Sequence, residues 1–161
     1  MTAKLKNFCF SFFMVAVTGA LCSYFTRWGV RHWYNDFTKP VYVPPAWFFS
    51  VAWGLIYAQM IASYYRILNS GTLFLHEAGR LFLLQLMLQV LWCILFFYKG
   101  LFLAAFLVIL WLIFTLGRMI SLFLKIDVAA GALNFFGFLY VCYAAFLSFA
   151  FLYANGYVIN F

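Results

Sequence analysis

The chain has 161 residues, is 69% apolar and 25% aromatic, and only 8% of it is charged. A soluble domain carries about half apolar and about a quarter charged residues, so this composition excludes an ordinary water-exposed globule and points to the bilayer as solvent. The net charge of +7 comes from ten Lys and Arg scattered between apolar stretches. That pattern suits residues flanking membrane helices and touching lipid headgroups, and it argues against a nucleic-acid partner.

In chain order, residues 7–25 form the first predicted span. The basic start MTAKLK before an apolar run imitates a secretory signal, and we read it as an uncleaved helix. Residues 26–44 read as a loop carrying Arg27, Arg31, Asp36 and Lys39. Pro44-Pro45 opens a second span at 45–68, because proline suits a first helical turn whose N–H would be unpaired anyway. NSGTLFLHEAG forms the second loop, and spans follow at 80–98, 101–124 and 128–154. Backbone groups in lipid must pair within their own segment, so all are helices. The short connections Lys99-Gly100 and Lys125-Ile126-Asp127 make the last three spans antiparallel neighbours. The expected fold is an all-α integral membrane protein, a single five-transmembrane-helix bundle over 1–161.

Lys4, Lys6, Arg66, Arg80, Arg118 and Lys125 fall on one side of that bundle, and Arg27, Arg31, Lys39 and Lys99 on the other. The excess places the N-terminus inside. Cys9, Cys22, Cys93 and Cys142 all lie in apolar stretches without a CxxC, and read as small buried hydrophobes.

Polar and aromatic groups converge on three spans. Pro45, Phe49, Trp53, Tyr57 and Met60 recur at helical spacing on one stripe of span two. This stripe either packs against other helices or walls a pocket. Ser50, Gly54, Ala58 and Ala62 recur every four residues beside it, a spacing that lets helices approach closely in lipid. Gln85 and Gln89 lie one turn apart in span three, with Trp92 on the same side. Amides in hydrocarbon must be paired, so these face the bundle, where they glue helices together or bond a ligand. Gly137, Tyr140 and Ala144 share a face of span five, flanked by Asn134 and Ser148. Together the faces suit a flat hydrophobic ligand with few polar anchors.

Other chemistries find little support. His32 and His76 read as loop residues, which argues against a haem held by paired axial histidines. Asp36, Glu77 and Asp127 also read as loop residues, and form no carboxylate pair, Ser-His-Asp set or HExxH motif. Arg118 is the one charge well inside a span, near enough to its end to snorkel.

Residues 33–57 carry a denser signal. Trp33-Tyr34, Lys39-Pro40, Pro44-Pro45-x-Trp47 and Val51-Ala52-Trp53-Gly54-Leu55-Ile56-Tyr57 form an ordered pattern that resembles the TspO/MBR family of tryptophan-rich sensory and mitochondrial translocator proteins. Gln89, Leu91-Trp92 and Phe96-Phe97 in span three, Trp111 in span four and Ala130-Gly131-x-Leu133 at the start of span five extend the likeness along the chain.

The resemblance implies five spans, a first loop that closes over a pocket between the helices, and a homodimer in a bacterial-type or mitochondrial outer membrane. It implies binding of porphyrins, notably protoporphyrin IX, with ligand-binding roles for Trp33, Tyr34, Pro44, Pro45, Trp47, Trp53 and Tyr57. With the converging residues above, the expected ligand set gains Phe49, Gln89, Trp92, Gly137, Tyr140, Ala144 and Ser148. No catalytic residue, metal or bound cofactor is expected. The exception is Trp53, as redox partner if the protein degrades porphyrin in light.

The departures from the family pattern are specific. Its pocket asparagine is Gln89 here, and its span-five PYxxW aligns with Phe136-Gly137 and Tyr140. A second pocket tryptophan is therefore a tyrosine, and a larger cavity is expected beside Gly137. The C-terminal LYANGYVINF lacks the Lys or Arg of a sterol motif. The expected function is a membrane receptor or carrier for a tetrapyrrole. The alternatives are a light-dependent porphyrin-degrading enzyme and a lipid-binding, sterol-binding or structural membrane protein.

Overall fold

A computed structural model describes residues 2–34 and 46–155. The chain folds into α1 (Ala3–His32), α2 (Ala46–Leu68), α3 (Leu75–Cys93), a π-helical turn (Ile94–Tyr98), α4 (Phe102–Ile126), α5 (Val128–Ala132) and α6 (Phe135–Asn155). The described residues contain no strand. Among the described residues, four helical segments are long and apolar enough to cross a membrane: Ala3–His32, Leu75–Tyr98, Phe102–Ile126 and Val128–Ala154. The chain is a multi-pass integral membrane protein. The 23-residue α2 does not join the four on composition, because Trp, Tyr, Gln and Ser dilute its aliphatic content.

Two helices are longer than the sequence suggests. Residues 26–32, expected in a loop, continue α1 to His32. Trp28 and His32 stack one turn apart at 4.3 Å, and His32 Nδ1 lies 2.7 Å from the Trp28 carbonyl oxygen. Arg31 and His32 in the last turn also complement the helix dipole. Likewise α3 begins at Leu75, so His76 and Glu77 are helical and not in a loop. Glu77 sits in the first turn, where a carboxylate favours the dipole. The connection before it is made by polar turn residues: the Thr72 amide donates to Ser70 Oγ at 3.4 Å, and the Phe74 amide to Thr72 Oγ1 at 3.2 Å.

Lys99-Gly100 closes the tight turn between the π-helical turn and α4. Gly100 sits at φ 62°, a region open to glycine without a Cβ clash. Last-turn carbonyls have no intrahelical partner, and one of them, Phe97 O, accepts from Trp33 Nε1 at 3.0 Å. α1 approaches closely here: a Cβ on Gly29 would lie 2.5 Å from that same Phe97 oxygen.

The helices form a ring in which α1 adjoins α2 and α3, and α4 lies between α3 and α6. The ring closes between α2 and α6, where the backbones stay apart and long side chains meet. The core includes Val15, Ile56, Ile67, Phe82, Leu86, Ile109, Leu112 and Met119, with Tyr64 stacked on Phe82 at 3.9 Å. Phe13, Phe114, Leu139 and Met87 are each at least 60% exposed, an outer surface that matches acyl chains and not water. Arg118 also faces outward.

One further expectation is corrected. Cys9 is exposed and Cys142 half-buried, so only Cys22 and Cys93 are buried thiols. The small-residue stripe of α2 is exposed in the single chain: Ser50, Gly54, Ala58 and Ala62 are open, a Cβ on Gly54 would meet nothing within 4 Å, and Ala58 and Ala62 border a groove against Phe8 and Phe12 of α1.

A polar junction fixes α2 to the start of the last span. The chain breaks between α5 and α6, where the Asn134 amide turns to Gly131 O at 3.1 Å. The Ala130 carbonyl, which a continued helix would have used, accepts instead from Ser63 Oγ at 2.8 Å and Asn134 Nδ2 at 2.9 Å. Asn134 Nδ2 also donates to Ser63 Oγ at 2.6 Å. At the start of α5 Asp127 caps the helix, accepting from the Ala130 amide at 3.0 Å, and pairs with Arg66 at 2.8 Å.

Candidate functional site

The seam between α2 and α6 gathers the aromatic residues expected to wall a pocket. Phe49, Trp53 and Tyr57 lie one turn apart on the inner side of α2, each half-buried. Trp53 meets Tyr140 of α6 edge to face at 5.6 Å, tilts against Tyr57 at 5.6 Å, and Phe49 meets Tyr140 at 6.2 Å. An edge-to-face pair sets one ring's edge on the other's face; Tyr140 is 6% exposed, and the half-buried Trp53 and Tyr57 keep part of their ring surface open. Tyr57 also rests on α1, where a Cβ on Gly19 would lie 3.1 Å from its ring.

Beneath these rings lies a small polar chamber of about 10 Å³, lined by Gln59, Gln85, Gln89, Asn134 and Gly137 with Ile56, Met60 and Leu116. Gln85 is fully buried and Gln89 is 3% exposed. Gln89 Nε2 lies 3.9 Å from Met60 Sδ, while Gln89 Oε1 and both polar atoms of Gln85 have no hydrogen-bond partner among the described residues. The larger cavity expected beside Gly137 is not there: Ile56 fills the space, 3.4 Å from where a Gly137 Cβ would sit.

Trp33 and Tyr34 belong to a different cluster at the end of the bundle. Trp33 is 4% exposed and packs with Phe96, Phe102 and Phe151. Tyr34 stacks on Phe151 at 5.6 Å, and burial pushes its phenol above the usual range. Trp92 packs against both clusters and is the link between them. Trp47, expected at the ligand, is 66% exposed and contacts Phe48. Ala144 and Ser148 are buried, with Ser148 Oγ bonded to the Ala144 carbonyl of its own helix at 2.9 Å. Pro44 and Pro45 lie outside the described residues, as do Asp36, Lys39 and Pro40.

The structure thus brings together Phe49, Trp53, Tyr57 and Tyr140, with Gln89 and Gly137 below them. It does not join Trp33, Tyr34 or Trp47 to that group. Sequence reasoning missed Gln59 and Ser63. Their spacing of four within an otherwise apolar span is the signal that marks them, the same signal that marks Gln85 and Gln89. The described residues contain no group of three or more His, Cys, Asp or Glu able to hold a metal ion. What the seam offers is stacking surface above neutral hydrogen-bonding groups.

The comparisons with known proteins agree with this architecture. The sequence profile of the TspO/MBR family matches residues 10–154. Over 87 residues the chain is 36% identical to the tryptophan-rich protein TspO of Archaeoglobus fulgidus, covering 54% of this chain and 57% of that one. Over 98 residues it is 34% identical to protein CrtK of Rhodobacter capsulatus, covering 58% of each. The matched region spans a little over half the length of these relatives. With the family profile covering nearly the whole helical bundle, the chain belongs to the TspO/MBR family.

Proposed function

We propose that the chain is a membrane receptor or carrier for a flat hydrophobic ligand of the tetrapyrrole class, such as protoporphyrin IX, held at the α2–α6 seam. The observation that carries this reading is the edge-to-face contact of Trp53 with Tyr140 directly above buried, unpaired amides. An aromatic macrocycle stacks on ring faces, and its polar edge needs hydrogen-bond partners. Its carboxylates would reach the basic residues near the first loop, among them Arg31, which is exposed at the end of α1. α2 would be the fifth crossing helix, since 23 residues at about 1.5 Å each reach about 35 Å against a hydrocarbon core of about 30 Å. The exposed Ser50, Gly54, Ala58 and Ala62 stripe would seat a second copy in a homodimer.

Binding and handling of the ligand, without catalysis, is the reading we favour, because the seam brings together aromatic rings and neutral amides. A light-driven degradation would require Trp53 as electron donor, with Tyr140 where a second tryptophan would serve better. The test is tryptophan fluorescence of the purified protein titrated with protoporphyrin IX, in wild type and Trp53→Phe. Saturable quenching that weakens in the variant supports the reading. Linear quenching identical in both means that the dye only partitions into the micelle, and the reading fails.

A further inference from the structure

The chamber below the aromatic seam has a chemistry of its own. Gln59 Oε1, Gln85 Oε1, Gln85 Nε2 and Gln89 Oε1 are all buried and make no hydrogen bond among the described residues. A buried polar atom without a partner costs about 1–3 kcal/mol, and native interiors rarely tolerate several side by side. These atoms sit on two helices and line one space, together with Asn134. Asn134 is committed to Ser63 and Ala130, which leaves the three glutamines as the free groups.

Size and charge restrict what the chamber takes. Its volume of about 10 Å³ matches one oxygen-sized group, near the lower limit of about 10–15 Å³ for a single water. Amides offer both donors and acceptors, so a group that both gives and accepts a hydrogen bond satisfies them best. Among the described residues, no Lys, Arg, His, Asp or Glu lines the chamber. A charged group entering here would lose its hydration without a counter-charge. The way in is through the seam: Gly137 lines the chamber one turn from Tyr140, and Gln89 lies one turn from Trp92.

We infer that Gln59, Gln85 and Gln89 form a subsite for one neutral hydroxyl-type oxygen, supplied by a water molecule or by the hydroxyl of a flat apolar ligand seated in the seam above. This deepens the proposed function and rests on its claim that the seam admits a flat ligand. It adds a selection rule, which is preference for an uncharged hydroxyl at the buried end.

The test uses the full chain in lipid nanodiscs with two probes, 1-pyrenemethanol and 1-ethylpyrene, which differ by a hydroxyl in place of a methyl. Energy transfer from tryptophan reports binding, corrected for partition into protein-free discs. The wild type should bind the alcohol about tenfold tighter, the scale of one buried hydrogen bond gained. Gln85→Met, near in volume but apolar, should bring the two probes to equal affinity while leaving ethylpyrene binding intact. Should that variant fail to fold, Gln59→Met serves the same purpose. Equal affinities in the wild type, or a preference that survives both substitutions, would overturn the ligand subsite. A high-resolution crystal structure of the ligand-free protein separates the two sources. An ordered water bonded to Gln85, with no probe preference, would limit the subsite to water and refute the selection rule. A preference without that water would support the ligand alone. The protoporphyrin titration is independent: its failure alongside a retained pyrenemethanol preference removes the tetrapyrrole reading and leaves the subsite.

Discussion

The Ala130 carbonyl offers the sharpest test of how this bundle is held together. It is buried, has been released from helical bonding by the α5–α6 break, and accepts from two side chains, Ser63 Oγ on α2 and Asn134 Nδ2 in the turn between α5 and α6. Consider Ser63→Ala, Asn134→Ala and the double variant. Each single change removes the direct Asn134–Ser63 bond and one of the two bonds to the carbonyl. Net hydrogen bonds contribute about 0.5–1.5 kcal/mol in water, and interhelical bonds in membranes average about 0.6 kcal/mol. Each single variant should therefore lose about 1–2 kcal/mol. Two effects then compete in the double variant. The Asn134–Ser63 bond is lost only once but is counted in both singles, which lowers the double below the sum by about 0.6–1 kcal/mol. Against that, both donors are gone and the carbonyl is orphaned, at about 1–3 kcal/mol. The orphaned carbonyl wins. The double variant should lose about 1 kcal/mol more than the sum of the singles. Reversible unfolding in mixed micelles, followed by circular dichroism, measures all three. An additive or sub-additive cycle would show that the carbonyl does not depend on these two donors, and would refute the junction as described.

Other consequences follow from the same structure. Gly29→Ala places a methyl 2.5 Å from the Phe97 oxygen, and a rigid carbonyl cannot yield as a side-chain tip would. A loss of about 1–3 kcal/mol is expected in the same unfolding assay. Trp33→Phe removes the indole donor from that oxygen and should cost about 1–3 kcal/mol through the buried acceptor it leaves; unchanged stability would contradict the contact. Asp127 is held below the usual carboxylate range, first by the Ala130 amide and then by Arg66. Its stabilisation is therefore fully present above the unfolded value of about 3.9 and is lost as pH falls through the lower folded value. Asp127→Ala should cost about 1 kcal/mol at neutral pH as a lost cap, and should flatten the acid limb of the stability profile below about pH 4. An unchanged limb would assign that acid sensitivity to another group.

Composition and periodicity determined the class of this protein before any coordinates. A chain that is 69% apolar with long uninterrupted spans must pair its backbone internally, so helices were inevitable. The burial of Gln85 and Gln89 was legible too, because amides in an apolar helix turn away from lipid. The inner placement of Trp53 and Tyr140 followed from helical spacing.

Which partner each face meets was not in the sequence. Periodicity defines a stripe but not its neighbour, so the spacing of Ser50, Gly54, Ala58 and Ala62 did not say that the stripe stays exposed within the single chain. Removing a side chain suggested room at Gly137, but Ile56 on another helix fills it, and packing of that kind depends on register between helices. The fate of the Ala130 carbonyl likewise needs a break in one helix and a serine on another, 67 residues away in the chain. Local sequence sets which groups must be satisfied. Only the tertiary arrangement decides which distant group satisfies them, because a hydrogen bond or a ring contact is set by a few ångströms between helices that the sequence does not specify.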